Sequence, residues 1–430
     1  MPNRFLLTVS RSVACAVVCG AALLLSACGG GGGSSSTTAG TASPTTPTSA
    51  ASSPAPTSTA SSPPPAATNN VATVSIRQIE SNTTTLTVNS PYVSVTICDA
   101  SGNCQTVPDV LVDTGSAGLR LFANKVSLNL PAIQAGSGEL AACAQFASGY
   151  AWGSMRSATV KIAGESTTTA IPIQLMSDPS LPAAPSQCSA QGANFASGFA
   201  GIANGILGIS NFSRDCGSAC TTSTRPGVYY ACSGSSCSPS TAALAQQGTN
   251  PIIAFAVDNN GSTLDLPAVP VPGGAASVNG TLTFGVGTQP DNAPPTTAAR
   301  FPVDQSGNFI IAVNGQKGYG FVDSGSNGIY LDLSGISTCT SVPLFYCPTV
   351  PVNLSVETAG YQGTPTKTQQ VTIGNAETMF SSGYTALPAL GGTAAITNFV
   401  DLGLPFFYGR PITTGIEGTD PAAPYGYWAY

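Results

Sequence analysis

The sequence predicts an all-β fold with few short helices. Short runs that alternate apolar and polar residues, such as YVSVTI at 92–97, are typical of half-buried strands. The 48 glycines and 34 prolines supply turns between such runs. Helical patterns are rare, and the best candidate is STAALAQQG at 240–248, where Ser240 or Thr241 would cap the first turn.

The N-terminal segment is not predicted to contribute to the fold. Arg4 and Arg11 precede an uncharged apolar stretch and then the string LSAC, which ends at Cys28. A basic segment, a short apolar segment and small residues before a cleavage point predict a secretory signal peptide at 1–27. Residues 28–70 contain five consecutive glycines and then mostly Ser, Thr, Ala and Pro without any charge, so we expect a disordered tether.

The string that ends at Cys28 resembles the lipobox of bacterial lipoproteins. That resemblance implies cleavage before Cys28 and acylation of this residue, with palmitate among the chains, and several acyl chains bind a membrane firmly. Gly29 follows the cysteine, which resembles lipoproteins sorted to the outer membrane. We therefore expect a lipid-anchored protein of the bacterial cell envelope, at the outer membrane. The alternative is an ordinary signal peptide with a chance cysteine.

The remaining chain is long enough for two domains with sizeable cores, which we place at 71–290 and 291–430. The sequence carries 19 acidic and 13 basic residues, and its formal net charge is −6. This mild acidity argues against nucleic acid as a partner of the protein.

The cysteines predict a disulfide framework. Of 13 cysteines, Cys15 and Cys19 lie in the signal and Cys28 at its end, which leaves ten for the exported part. An even number in an oxidising compartment predicts five disulfides. We expect the pairs Cys98 with Cys104, Cys339 with Cys347 and Cys143 with Cys188, and pairing in an open order within the cluster Cys216, Cys220, Cys232 and Cys237. Export and the lack of a two-residue CxxC spacing disfavour the alternative, a zinc site in that cluster.

The chain contains no histidine. Catalytic Ser-His-Asp triads, Cys-His dyads and histidine-ligated metal sites are therefore excluded. Hydrolytic chemistry would need carboxylates, a Ser-Lys pair or a metal held by oxygen ligands. None of the four lysines lies in an SxxK string, which disfavours the Ser-Lys pair.

Two nearly identical strings occur far apart, VDTGSAGLRL at 112–121 and VDSGSNGIYL at 322–331. In each, an apolar strand ends at an aspartate, Asp113 or Asp323, and glycine permits a sharp turn. Two such turns on two similar lobes would bring the carboxyl groups together across a pseudo-twofold axis. Carboxyl groups about 3 Å apart share one proton, so one can accept a proton from water while the other donates one to a carbonyl oxygen. The pattern therefore predicts hydrolysis of peptide bonds without histidine.

These strings resemble the two active-site loops of pepsin-like aspartic peptidases. The resemblance implies a bilobal double-ψ β-barrel architecture in which Asp113 and Asp323 are catalytic. The segment 206–208 in ANGILGIS resembles the apolar-apolar-Gly segment that packs behind the first catalytic loop of that family. Leu402 and Gly403 in VDLGLPFF resemble its counterpart in the second lobe.

The same resemblance implies roles for neighbouring residues. Ser116 would hydrogen-bond to Asp113, and Thr114 and Ser324 would brace the two loops beneath the dyad. Tyr150 in YAWGSM resembles the tyrosine of the flap, a hairpin that covers the substrate, although Trp152 could take that place. The other residues that the resemblance implies to support the site are Gly115, Gly325 and Ser326.

As a whole, the chain is similar to the DUF3443 family of bacterial lipoproteins, through NPIIAFAVDNNG, GVGTQ and the tripeptide NGI at 327–329. Two features depart from the pepsin-like pattern. The stretch 216–237 has no clear counterpart there, and Ser324 stands where threonine is usual.

Three functions are compatible with these patterns. The first is an aspartic endopeptidase, monomeric, acting on a polypeptide substrate, with no cofactor and no metal. The second is a catalytically inactive module for surface binding or adhesion, whose cleft recognises a protein ligand. The third, a calcium site, is disfavoured because neither string has the alternating acidic ligands of a calcium loop. Facing carboxyl groups under an open groove would favour the enzyme, whereas a groove plugged by 216–237 would favour the binding module.

Overall fold

The computed structural model describes residues 70–79, 86–147, 149–195, 201–394 and 396–430. In this part of the chain strands dominate and helices are short, which confirms the predicted all-β class. The predicted signal peptide, the predicted lipidation site Cys28 and the predicted tether up to residue 69 lie outside the described residues. No helix among the described residues is both long enough and apolar enough to span a membrane.

The described strands form one sheet of 17 strands and one sheet of 7 strands. The larger sheet contains β1 (Val71–Ile76), β2 (Pro91–Cys98), β3 (Cys104–Asp113), β4 (Ala117–Phe122), β5 (Gln134–Ala135), β6 (Gly138–Phe146), β7 (Gly149–Ile162), β8 (Glu165–Ser166), β9 (Ile171–Met176), β10 (Gly205–Ile209), β11 (Tyr229–Ser233), β12 (Ser236–Pro239), β13 (Gly261–Asp265), β14 (Val278–Phe284) and β15 (Arg300–Pro302). The smaller sheet contains β16 (Phe309–Val313), β17 (Gln316–Asp323), β18 (Ile329–Tyr330), β19 (Val352–Ala359), β20 (Thr366–Ile373), β21 (Gly391–Gly392) and β22 (Phe399–Gly403). Two final strands, β23 (Ile412–Gly415) and β24 (Tyr427–Ala429), return to the larger sheet.

The helical elements are single turns or little more. The α-helices are α1 (Ser186–Ser189), α2 (Ala219–Thr222) and α3 (Ala376–Ser381). The 3₁₀ turns are η1 (Ala123–Lys125), η2 (Leu244–Gln246), η3 (Pro251–Ala254) and η4 (Leu404–Phe406).

The helix predicted at 240–248 is wrong, because only the 3₁₀ turn η2 forms there. The backbone N–H of Ser240 donates to the carbonyl of Tyr229, and that of Ala242 donates to the carbonyl of Cys220, each over 2.9 Å. These bonds to distant backbone hold the segment extended, so tertiary contacts override a weak local helical preference.

The alternation of apolar and polar residues in the sequence matches the alternation of buried and exposed side chains in the strands. In β2, Val93, Val95 and Ile97 are buried while Ser94 is exposed. Side chains of both sheets meet in one large apolar cluster, which buries them from water and supplies the main stabilisation of the fold.

The end of the chain returns to the larger sheet. Strand β23 pairs antiparallel with β13, and β24 pairs with both β15 and β23. Residues on both sides of position 290 therefore contribute to the same sheet, and the division into domains at 71–290 and 291–430 stays a prediction.

One three-strand unit occurs twice. Strand β10 runs parallel to β3 and antiparallel to β4, and it places Gly208 opposite Asp113 and also opposite Gly118. Strand β22 runs parallel to β17 and antiparallel to β18, and it places Gly403 opposite Asp323. Each unit also has a matching additional partner. Strand β4 pairs parallel with β9, and β18 pairs parallel with β21.

All five predicted disulfides are present, and the three specific pairs are confirmed. These are Cys98–Cys104, Cys143–Cys188 and Cys339–Cys347. The order within the cluster, which the sequence left open, is Cys216–Cys220 and Cys232–Cys237. Because Cys143 lies in β6, its disulfide ties the segment of α1 to the β6–β7 hairpin.

Candidate active site

The two predicted aspartates face each other. Asp113 ends β3 and Asp323 ends β17. A Cβ on Gly115 would lie 2.6 Å from the Asp323 carboxyl carbon, and a Cβ on Gly325 would lie 2.7 Å from Asp113 Oδ1. Each loop therefore needs glycine because its backbone approaches the carboxyl group of the opposite loop too closely for a side chain.

The hydrogen bonds to the two carboxyl groups follow the same pattern. The N–H of Gly115 donates to Asp113 Oδ1 over 2.8 Å, and the N–H of Gly325 donates to Asp323 Oδ1 over 2.8 Å. The Ser116 hydroxyl donates to Asp113 Oδ2, and the Ser326 hydroxyl lies 2.8 Å from Asp323 Oδ2. Each aspartate is thus fixed by the turn that follows it.

Thr114 and Ser324 link the two loops beneath the aspartates. The Thr114 hydroxyl donates to the carbonyl of Val322 over 3.0 Å and accepts from the N–H of Ser324 over 2.9 Å. The Ser324 hydroxyl donates to the carbonyl of Val112 over 2.7 Å and lies 3.1 Å from the N–H of Thr114, which donates to it. Ser324 and Thr114 therefore make the same set of bonds to the opposite loop.

The electrostatics of the pair are asymmetric. Burial, the charge of Asp113 and a hydrogen bond with it raise the pKa of the Asp323 carboxyl well above its ordinary value. The direction of this shift favours the protonated form of Asp323.

The loops reach the protein surface. Gly115 is exposed and Ser116 is partly exposed. A cavity of about 260 Å³ lies against Thr114 and Gly115, and its remaining lining comprises Ser210, Asn211, Phe212, Ser306, Gly307, Asn308, Phe321, Phe399 and Trp428. No residue of 216–237 lines this cavity. That stretch instead pairs with β6 through β11.

The predicted flap residue lies in an apolar cluster. The hairpin of β6 and β7 forms, with Tyr150 opposite Gln145. Tyr150 is 8% exposed and packs with Trp152, Tyr230 and the disulfide of Cys143. Strand β11 pairs with the outer edge of β6, so the hairpin belongs to a wider sheet. The flap role of Tyr150 stays a prediction.

Sequence reasoning missed a third carboxyl group, that of Asp401. Its Oδ2 lies 2.6 Å from the Ser326 hydroxyl, which also contacts Asp323. Burial, together with the charge of Asp113, raises the pKa of Asp401 to about 8. The signal was present in VDLGLPFF, because an aspartate precedes Leu402 where the matching segment of the first loop has Ile206.

Potential metal ligands cluster at one place among the described residues, Cys339, Cys347 and Glu377. The two cysteines are joined in a disulfide, so their sulfur atoms are not thiolate ligands. The three aspartates of the candidate site are not grouped closely enough to form such a cluster.

A family profile described as "Protein of unknown function (DUF3443)" matches residues 66–430. A search of curated proteins finds no match.

Proposed function

We propose that this chain, which belongs to the DUF3443 family, is an aspartic endopeptidase. The function of that family is unknown, and the proposal rests on the geometry of the site. The observation that carries this proposal is the pair formed by Asp113 and Asp323, in which each carboxyl group is fixed by an N–H and a hydroxyl of its own turn. Since the chain lacks histidine, two carboxyl groups that share a proton are the available acid and base.

The reaction follows from the position of the proton. Asp113 accepts a proton from a water molecule, whose oxygen bonds to the carbonyl carbon, while Asp323 donates its proton to the carbonyl oxygen. The tetrahedral intermediate then loses a hydroxyl proton to Asp323, its C–N bond breaks, and the leaving nitrogen takes the proton from Asp113. Both carboxyl groups return to their starting states, so no cofactor is consumed.

We assign a pepsin-like, bilobal double-ψ architecture to the chain as part of the same proposal. What supports it is the repeated three-strand unit, in which the register of β10 on β3 matches that of β22 on β17 at both aspartates. The cross-brace between Thr114 and Ser324 supports it as well, because each loop donates to the backbone of the other.

The proposed enzyme is exported, monomeric and anchored by lipid at Cys28 to the outer membrane, with a polypeptide as its substrate. The string LSAC supports the anchor. Changing Cys28 to Ala should move the protein from the membrane fraction to a soluble exported form, and fractionation that does not change would contradict the anchor.

One observation favours the alternative, an inactive module for surface binding or adhesion. Tyr150 is packed against Trp152 and a disulfide, and its hairpin is held by a strand on its outer edge. A hairpin fixed in this way has less freedom to close over a substrate than a free flap has. A protein ligand could then bind at the cavity beside Thr114 and Gly115 without being cleaved.

Digestion of a denatured protein at several acidic pH values separates the two functions. We expect cleavage by the wild type and none by Asp113→Asn. Asp265→Asn is the matched control, because Asp265 is an exposed aspartate at the end of β13. Cleavage that survives in Asp113→Asn, or no cleavage by the wild type at any pH, would favour the binding module.

A further inference from the structure

The Ser326 hydroxyl lies between two carboxyl groups. Its oxygen is 2.8 Å from Asp323 Oδ2 and 2.6 Å from Asp401 Oδ2. A hydroxyl has one hydrogen, so it can donate to only one of these oxygens. The other contact is a hydrogen bond only if that carboxyl group carries a proton and donates it to Ser326. The geometry therefore requires a protonated carboxyl group next to Ser326.

In the proposed reaction the proton of Asp323 is donated to the carbonyl oxygen, so Asp401 is the group left to donate a proton to Ser326. Its Oδ1 is buried and has no hydrogen-bond partner among the described residues. No lysine or arginine of the described chain forms an ion pair with it. A carboxylate that has one buried, unpaired oxygen and one hydroxyl as its partner is unfavourable, whereas the neutral acid is much less so.

The groups that face Asp401 are acidic or neutral. Strand β3 contributes Asp113, β17 contributes Asp323 with the Ser326 turn, and β18 contributes the Tyr330 phenol, which donates to Asn327 Oδ1 over 2.5 Å. A negative charge on Asp401 would be repelled by the charge that the dyad already carries. Burial and the charge of Asp113 accordingly raise the pKa of Asp401 to about 8.

The first loop lacks this arrangement. In the matching register, Ile206 lies opposite Leu111 and Arg120, as Asp401 lies opposite Phe321 and Tyr330. Ile206 is 1% exposed and offers no hydrogen to Ser116, whose hydroxyl contacts the carboxyl group of Asp113. The acid is therefore a property of the second loop alone and not of the repeated unit.

We propose that Asp401 is a positioning residue that acts as a neutral acid, donating to Ser326 and thereby directing the Ser326 hydroxyl hydrogen onto Asp323. The proposal rests on the proposed function, in which Asp323 becomes negatively charged when it gives its proton to the carbonyl oxygen. The chain of donors from Asp401 through Ser326 stabilises that charge, because linked hydrogen bonds polarise one another. The site then holds two protons on three carboxyl groups.

A first measurement tests the protonation of Asp401 without any need for activity. Carbon-13 NMR of the aspartate carboxyl carbons in the full chain should show a group that titrates near pH 8 in the wild type and is missing in Asp401→Asn. Asp265→Asn is the control and should keep that group. If instead the resonance lost in Asp401→Asn titrates near pH 4, the ordinary range for aspartate, Asp401 is ionised and the proposal is overturned.

A second measurement tests its role in turnover. Asp401→Leu, which gives the second loop an apolar side chain like that of Ile206 in the first, should lower kcat about tenfold with little change in KM, since it removes the donor to Ser326. Asp401→Asn should restore most of kcat because its amide N–H can donate to Ser326, and it should keep that activity above pH 8, where wild-type Asp401 ionises. Equal kcat for the Leu and Asn variants at every pH would overturn the positioning role. If the wild type shows the resonance that titrates near pH 8, and Asp401→Asn loses it, but the wild type cleaves no substrate, the proposed peptidase function is overturned instead.

Discussion

The two aspartate loops share a backbone but differ in the charges around it. Both end a strand at an aspartate, both use a glycine N–H and a serine hydroxyl to fix it, and both are paired in the same register. Behind the first loop stand Ile206 and Arg120, whose guanidinium lies 3.4 Å from the buried Asp215 carboxylate. Behind the second stand Asp401 and Tyr330. A repeated fold therefore supplies equal backbone geometry, while the side chains behind the two loops differ in charge.

The largest expected effect comes from removing either member of the pair. Asp113→Asn and Asp323→Asn preserve the shape of the site but remove the shared proton, so each should lower kcat by roughly four orders of magnitude. The double variant should lose at most about another tenfold, because groups that act as one unit are not additive. Single-turnover assays on an unfolded protein substrate give these values. If the double variant instead lowers kcat by the product of the two single losses, the two aspartates do not act as one unit.

The next effect comes from the close approach of the loops. Gly115→Ala would place a Cβ 2.6 Å from the Asp323 carboxyl carbon and force the two carboxyl groups apart. A displacement of about 1 Å at reacting groups lowers activity roughly a hundredfold, which a kcat/KM assay would detect. Gly273→Ala is the control, since its Cβ would meet only one atom, at 3.9 Å. Equal activities for the two variants would mean that the loops need no close contact.

The proton on Asp401 should also make the free energy of unfolding depend on pH. The pKa of Asp401 is raised to about 8, so between about pH 4 and pH 8 the native state keeps a proton that the unfolded chain has lost. The free energy of unfolding should then fall as the pH rises through this window, by at most about 1.4 kcal/mol per pH unit for this group. Urea unfolding at several pH values should show a flatter dependence for Asp401→Asn. An identical dependence in both proteins would place Asp401 in its ordinary ionised state.

The cross-brace should have the smallest effect. Thr114→Val keeps the shape of the side chain but leaves the buried N–H of Ser324 without its acceptor. We expect a loss of about 2 kcal/mol in the free energy of unfolding, the usual penalty for a buried unpaired donor. Thr106→Val, at an exposed position of β3, is the control and should change stability by less than about 0.5 kcal/mol. Equal losses would show that the bonds between the loops contribute nothing specific.

The features that the sequence predicted well depend on local pattern. The all-β class follows from alternation, as in Val93, Ser94 and Val95, and the hairpin disulfide of Cys98 with Cys104 follows from spacing. The facing of Asp113 and Asp323 was predictable because both stand in the same string, and two copies of a unit tend to pack in the same way.

The features that the sequence did not predict depend on distant contacts. The segment 240–248 reads as a helix, yet its N–H groups bond to Tyr229 and Cys220, which local sequence does not disclose. Asp401 reads as a chance acid at the edge of an apolar strand, and only the register opposite Phe321 and Tyr330 brings it to Ser326. The packing of Tyr150 also depends on Cys188, which lies 45 residues from Cys143 in sequence.

The proposal that Asp113 and Asp323 act on a peptide bond is tested most directly by the binding of a transition-state mimic. A peptide that carries a tetrahedral hydroxyl at the scissile position should bind the wild type at least about a hundredfold more tightly than the matching unmodified peptide. That preference should be lost in Asp323→Asn, because the asparagine cannot share a proton with Asp113. Isothermal titration calorimetry on the two peptides would measure both affinities. Equal affinities for the two peptides in the wild type would contradict the account and identify the site as a recognition surface.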